Sequence, residues 1–125
     1  MKELLLVAIG GALGSGARYS LSGFILHHTL HAKFPYGTFA VNVIGCLLAG
    51  ILMGLAEKHD LISPEARLFL LTGILGGFTT FSAFGVETIH LLRRGDFLVA
   101  STYVIFSVVC GLAALWLAYY FIPQK

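Results

Sequence analysis

The hydrophobic and polar positions of this chain follow a long-range pattern, in which extended apolar stretches are separated by short clusters of charged residues. Each stretch has about the length of a helix that crosses a bilayer, which needs roughly 20 residues. The pattern predicts four membrane-spanning helices, at about 4–26, 34–56, 68–92 and 97–122. We therefore expect an all-α integral membrane protein, with residues 1–125 forming a single four-helix transmembrane domain.

Local signals mark the boundaries of these stretches. Pro35 suits an early helical position, and Ser63 with Pro64 forms an N-cap and first-turn pair before the third stretch. Gly95 and Asp96 separate the third stretch from the fourth. The connections are short, so they predict closely packed neighbouring helices without a soluble lid.

The composition excludes several classes of protein. Hydrophobic residues make up 58% of the chain and charged residues 11%, against about 25% charged in a typical soluble domain. A net charge of +2 without a basic cluster argues against nucleic acid as a partner. A cleavable signal peptide is an alternative for the first stretch, but Arg18 interrupts it and it exceeds the usual apolar region of about 7 to 15 residues.

The positive charges give almost no preference for one orientation in the membrane. With four spans, one side carries Lys2, Lys58, Arg67 and Lys125, and the other carries Lys33, Arg93 and Arg94. Cytoplasmic loops normally hold the excess of lysine and arginine, so four against three is a weak signal. The pattern is compatible with a merely ambiguous signal, or with insertion in both orientations to form an antiparallel homodimer; we favour the homodimer, because four short helices hardly enclose a polar path.

Glycine spacing predicts close contacts between helices. The pairs with a spacing of four residues are Gly10 and Gly14, Gly50 and Gly54, and Gly73 and Gly77. Such spacing lets helix backbones approach in lipid, whether within one subunit or between two. In the third stretch, adjacent glycines followed by Thr79 and Thr80 are equally compatible with a break near the middle of the helix and with a continuous helix that carries a packing groove; we predict the break.

Few residues in the apolar stretches are titratable, which argues against an enzyme or a proton-coupled transporter. Glu87 is the only carboxylate there, and it either caps an aqueous vestibule or pairs structurally. No nucleophile accompanied by a base is visible. Arg18 either draws anions into a vestibule or pairs with a carbonyl group.

The remaining polar groups are uncharged and fall on helix faces. Thr38 and Asn42 are four residues apart, as are Tyr103 and Ser107, so each pair lies on one face. These groups either join helices by hydrogen bonds or donate hydrogen bonds to a passing anion. Phe81 belongs to an aromatic stripe whose ring edges, which carry partial positive charge, could also meet an anion.

With these residues in view, the sequence resembles the Fluc (CrcB) family of fluoride channels. The resemblance rests on three motifs in order: residues 10–14 with 17–19, residues 37–45, and residues 76–82 running on to Glu87. It implies a passive, fluoride-selective channel in the membrane of a microbial cell, which exports fluoride and so relieves its toxicity. It also implies an antiparallel, dual-topology homodimer with two pores and a central structural sodium ion.

The resemblance assigns roles by position. It implies that the backbone carbonyls of Gly76 and Thr79 hold the sodium and that Arg18 lies in a vestibule. The residues implied to line the fluoride path are Thr38, Asn42, Phe81, Ser82, Phe84, Tyr103 and Ser107. This chain departs from the family pattern at Ala83 and Gly85, where the family often has hydroxyl residues.

Two other functions compete with a fluoride channel. A small multidrug-resistance-type, proton-coupled exporter is also a four-span, dual-topology protein, but it needs a glutamate in its first span, where this chain has Arg18. A non-conducting assembly subunit would use the polar stripes only to join helices. Fluoride, a second copy of the chain and membrane lipid are the partners expected for the leading hypothesis.

Overall fold

A computed structural model describes residues 1–125 and contains only helices and their connections. Four helical stretches are long and apolar enough to cross a membrane: Lys2–His28, Tyr36–Lys58, Pro64–Arg93 and Phe97–Phe121. We label the first two α1 and α2. The last is α5, and the third stretch divides into α3 (64–78) and α4 (Phe81–Arg93). The all-α, four-span fold is confirmed.

The third stretch begins at Pro64 rather than at about 68, because its first turn is polar and hydropathy does not mark it. Ser63 accepts a hydrogen bond from the backbone N–H of Ala66 at 3.1 Å, so it caps the helix. The segment Leu68–Leu75 of α3 is wound as a π-helix, a rare form that often accompanies functional sites.

The predicted break near the middle of the third stretch is confirmed. Thr79 (φ −84°, ψ 155°) and Thr80 (φ −150°, ψ 116°) are both extended, so α3 and α4 do not form one continuous helix. The Thr80 hydroxyl accepts a hydrogen bond from Ala83 N–H at 3.1 Å and so caps α4. The break therefore also starts a new helix.

Glycines bring α1 into backbone contact with α3. A β-carbon on Gly10 would lie 2.6 Å from the carbonyl oxygen of Phe69, and one on Gly14 would overlap the carbonyl group of Ile74. Gly77 faces the backbone of Gly11 in the same way. These glycines thus serve contacts within one chain, and they hold the break against α1.

The second long contact runs between α2 and α5. A β-carbon on Gly50 would overlap the carbonyl oxygen of Leu115, so the two helices pack with their backbones close together. At the end of this contact, Lys58 Nζ donates hydrogen bonds to the carbonyl oxygens of Tyr119 (2.7 Å) and Ile122 (2.8 Å). Lys58 thus satisfies acceptors that the end of α5 leaves without helical partners.

Candidate functional site

Asn42 joins α2 to the break. Its side-chain Nδ2 donates a hydrogen bond to the carbonyl oxygen of Thr80 at 3.0 Å, and its Oδ1 accepts one from Thr80 N–H at 2.8 Å. This two-point contact satisfies backbone groups that would otherwise have no partner in an apolar environment. One amide hydrogen of Asn42 is left for another acceptor.

The two hydrogen bonds between Asn42 and Thr80, which we call the Asn42 clamp, leave carbonyl oxygens of the preceding turn without donors. Since Thr80 N–H bonds Asn42, it does not bond Gly76, and neither the Gly76 nor the Thr79 carbonyl oxygen accepts a hydrogen bond. Carbonyl oxygens at an unwound segment are the groups that coordinate sodium in transporters with broken helices. The residues present therefore fit a sodium ion.

The adjoining carbonyl oxygen, that of Gly77, has partners on α1. Arg18 Nε donates a hydrogen bond to it at 3.0 Å, and Ser15 Oγ lies 3.4 Å from it. Arg18 is half-buried and also lines a cavity of about 290 Å³ between α1, α2 and α4. Of the alternatives that the sequence left open, pairing with a carbonyl group is thus observed, and the role of Arg18 in drawing anions into a vestibule stays a prediction.

The Glu87 carboxylate accepts hydrogen bonds from hydroxyl groups on two other helices; we call Glu87, Thr38 and Tyr103 the Glu87 cluster. Thr38 Oγ1 donates a hydrogen bond to Glu87 Oε1 at 2.6 Å, and the Tyr103 hydroxyl donates one to Oε2 at 2.7 Å. Thr38 is 8% exposed and Tyr103 is fully buried, so both donors are taken out of solvent by this contact. The carboxylate of α4 is therefore tied to α2 and α5.

Sequence reasoning did not include Glu87 among the residues of the fluoride path. The available signal was its status as the only carboxylate in the apolar stretches. Its partners could not be found from spacing, because Thr38 is 49 residues away along the chain.

The two phenylalanines implied by the resemblance lie side by side at the start of α4. The ring centroids of Phe81 and Phe84 are 5.6 Å apart, and the planes are tilted by 36°. Phe84 also contacts the Tyr103 ring at 5.1 Å, whereas Phe81 is 85% exposed on the single chain. Phe84 therefore adjoins the Glu87 cluster, and Phe81 points away from the chain.

The two serines are not part of the Glu87 cluster. Ser82 is exposed, with its hydroxyl 3.4 Å from that of Thr80. Ser107 lies one turn beyond Tyr103 on α5, and its buried hydroxyl has no hydrogen-bond partner. An unpaired buried hydroxyl is costly, so contacts within the single chain leave this group unsatisfied.

The cavity next to Arg18 adjoins a larger one. A second cavity, of about 410 Å³, lies between α1, the α1–α2 connection and α4, and both cavities are lined by Thr38 and Glu87. Lys33 and Arg94 line the larger cavity, and Arg18 lines the smaller one. Three positively charged side chains and the Glu87 carboxylate therefore border this polar region.

Fold and site together define a multi-pass membrane protein with a broken third span and polar groups gathered around the break. Residues 5–119 match the family described as CrcB-like protein, Camphor Resistance (CrcB). The chain belongs to this family, as the motifs in the sequence predicted.

Relatives in several bacteria are similar over nearly the whole chain. A protein of Methylobacillus flagellatus is 53% identical over 119 residues, which are 95% of this chain and 93% of the relative. Proteins of Flavobacterium psychrophilum (45% identical, 93% of each chain) and Geotalea uraniireducens (45% identical, 94% of each chain) are also similar. All three relatives carry the name "Fluoride-specific ion channel FluC".

Proposed function

We propose that this chain is a passive, fluoride-selective ion channel that exports fluoride from the cell. The observation that carries the proposal is the 53% identity, over 95% of the chain, to a relative named as a fluoride-specific ion channel. Relatives with that name favour a channel over an enzyme, and they do not favour the small multidrug exporter. The site chemistry is consistent with an anion, because one amide hydrogen of Asn42 and the hydroxyl group of Ser107 have no acceptor within the chain.

Fluoride is small and strongly hydrated, so a selective path must replace its water with closely spaced donors that do not bind too tightly. Hydroxyl, amide and ring-edge groups meet that requirement. In the proposed path, Phe81, Phe84 and Asn42 contact the ion near the break, Ser82 supplies a further hydroxyl group there, and Tyr103 and Ser107 continue along α5. The Thr38 and Tyr103 hydroxyl groups each donate their proton to Glu87 in the single chain, so in this proposal they serve the ion by exchanging that acceptor for it.

The working unit in this proposal is an antiparallel, dual-topology homodimer with two pores. Phe81 is 85% exposed on the single chain, so a second copy is required to enclose a path that it lines. The near balance of lysine and arginine on the two sides of the spans is compatible with insertion in both orientations.

A sodium ion at the break is part of the same proposal. The Gly76 and Thr79 carbonyl oxygens would hold it, with the same two groups of the second copy completing the site. The ion would supply a fixed positive charge that joins the two broken spans. The Asn42 clamp supports this assignment, because it keeps Thr80 N–H away from the Gly76 carbonyl oxygen.

The test is an efflux assay with purified protein in liposomes under equal gradients of fluoride or chloride. We expect fluoride release with little chloride release, and strong suppression of fluoride flux by Phe81→Ile and by Asn42→Asp. Phe24→Ile is the matched control, because Phe24 is a 63% exposed ring on α1, away from the break. Equal fluxes of the two halides, or proton-coupled efflux of a quaternary amine, would overturn the proposal.

A further inference from the structure

The two ends of the four-helix domain differ in charge. At the end formed by the α1–α2 and α4–α5 connections, three cationic side chains accompany one carboxylate: Lys33, Arg93, Arg94 and Asp96. At the opposite end, four cationic side chains are balanced by four carboxylates, among them the pairs Lys2–Glu65 and Arg67–Glu57. Only the first end therefore carries a positive net charge.

Lys33 and Arg94 of this positive end line the cavity of about 410 Å³. Lys33 Nζ donates a hydrogen bond to Asp96 Oδ1 at 2.9 Å, and Arg94 Nε lies 3.6 Å from Asp96 Oδ2. The Asp96 side chain is 16% exposed, whereas those of Lys33 and Arg94 are 67% and 61% exposed. One carboxylate thus serves two cations, and most of their N–H groups remain free for another acceptor.

The larger cavity connects these cations with the break. It shares four lining residues with the cavity of about 290 Å³: Tyr19, Ser22, Thr38 and Glu87. The smaller cavity is lined in turn by Arg18 and by Thr80 of the break. An anion drawn to Lys33 and Arg94 therefore has a polar route to the residues that we propose to conduct it.

We propose that Lys33 and Arg94 form an entry site for fluoride at the mouth of the larger cavity, and that Asp96 limits how tightly they hold the ion. The inference rests on the proposed function. A cleft with an excess of one charge concentrates ions of the opposite charge and speeds their entry. Conduction also requires that the ion leave again, and a carboxylate that competes for the same N–H groups keeps its binding weak.

A purely structural ion cluster would behave differently. If the contact between Lys33 and Asp96 only joined two connections, loss of either partner would impair the protein in the same direction. At an entry site the effects have opposite signs, because neutralising a cation slows entry and neutralising Asp96 speeds it. Asp96→Asn keeps the local backbone contacts, since this side chain makes no capping hydrogen bond to α5.

The experiment measures fluoride efflux from liposomes per purified dimer, so that a change in the balance of orientations does not alter the result. Fluoride is kept far below its half-saturating concentration, at about 10 mM ionic strength, where the Debye length is about 30 Å. We expect Lys33→Gln and Arg94→Gln each to lower this flux by about threefold, and Asp96→Asn to raise it by about threefold. Two such charges then account for roughly tenfold, the lower end of the range for electrostatic steering.

Screening provides a second readout. At about 1 M ionic strength, set by a salt of an impermeant anion, the Debye length is about 3 Å. There the flux of all three variants should lie within about twofold of the wild-type flux. Lys33→Arg keeps the charge, so it should retain most of the flux at either ionic strength.

Arg67→Gln is the matched control, because Arg67 is an exposed cation, 3.6 Å from Glu57, that lines neither cavity. It should leave fluoride flux unchanged. Wild-type protein that releases no fluoride would overturn the proposed function, and the entry site with it. Fluoride release with no change in the variants, with changes of the same sign in the cation and Asp96 variants, with changes that persist at high ionic strength, or with an equal loss in the control would overturn the entry site alone.

Discussion

Single side chains decide how the polar groups of this protein are satisfied inside an apolar environment. Glu87 accepts one hydrogen bond from each of two hydroxyl groups, those of Thr38 and Tyr103, and so joins three helices. A carboxylate accepts without donating, which suits two hydroxyl donors better than any amide does.

We expect Glu87→Gln to lower the free energy of unfolding by about 1.5 to 3 kcal/mol, because hydrogen bonds to a charged group are replaced by weaker ones. Reversible unfolding in mixed micelles measures the change. Glu65→Gln is the control, since that carboxylate is exposed and lies 3.9 Å from Lys2. The substitution should cost less in a Tyr103→Phe background; an equal cost there would contradict the contact between Glu87 and Tyr103.

Asn42 is a second side chain that satisfies buried polar groups. Its amide replaces the helix hydrogen bonds that the break removes at Thr80. Asn42→Leu, of similar size, should reduce stability by about 1 to 3 kcal/mol, since two backbone groups lose their partners. The same unfolding measurement applies. Val43→Leu, a half-buried neighbour on α2, is the control, and an equal loss in both variants would argue against the clamp.

At the scale of elements, the packing of α1 on α3 depends on the absence of side chains at the contact. Gly14 faces the carbonyl group of Ile74 directly, whereas Gly16 has no atom within 4 Å of the position of a β-carbon. The two glycines lie on one helix and differ only in what faces them.

Gly14→Ala should destabilise the protein by about 1 to 3 kcal/mol, because a methyl group there forces the backbones of α1 and α3 apart. Gly16→Ala should leave stability unchanged or raise it by up to about 1 kcal/mol through helix propensity. Thermal unfolding of the two variants side by side provides the measurement. Similar effects of both substitutions would mean that the contact does not limit packing.

The start of α4 depends on a single group, the Thr80 hydroxyl that caps the helix. Thr80→Ala should cost about 1 kcal/mol through loss of the cap on Ala83 N–H. Thr80→Ser retains the hydroxyl oxygen and should retain most of the stability. If serine is as harmful as alanine, the methyl group rather than the cap is what matters.

At the scale of the whole molecule, the proposed dimer depends on equal insertion of both orientations. Two added lysines in the connection between α2 and α3 (His59→Lys, Leu61→Lys) should fix one orientation. Two at the other end of α2, at the last residue of α1 (His28→Lys) and in the α1–α2 connection (His31→Lys), should fix the opposite one. Each variant alone should give little fluoride flux, and co-expression should restore it. Reporter accessibility at the C-terminus measures orientation, and wild-type flux from either variant alone would contradict dual topology.

The sequence by itself determined the four apolar stretches and the membrane environment, because hydropathy and caps act locally along the chain. The paired glycines and threonines marked where a break could lie, but the extended backbone of Thr79 and Thr80 in the structure decided it against a continuous helix. The motifs were also sufficient to identify the family. Local patterns could not reveal which polar groups meet, since Arg18 reaches Gly77 across 59 residues and Asn42 reaches Thr80 across 38. Only the packing of α1, α2 and α5 around the break decided these contacts, because helix faces find their partners in three dimensions.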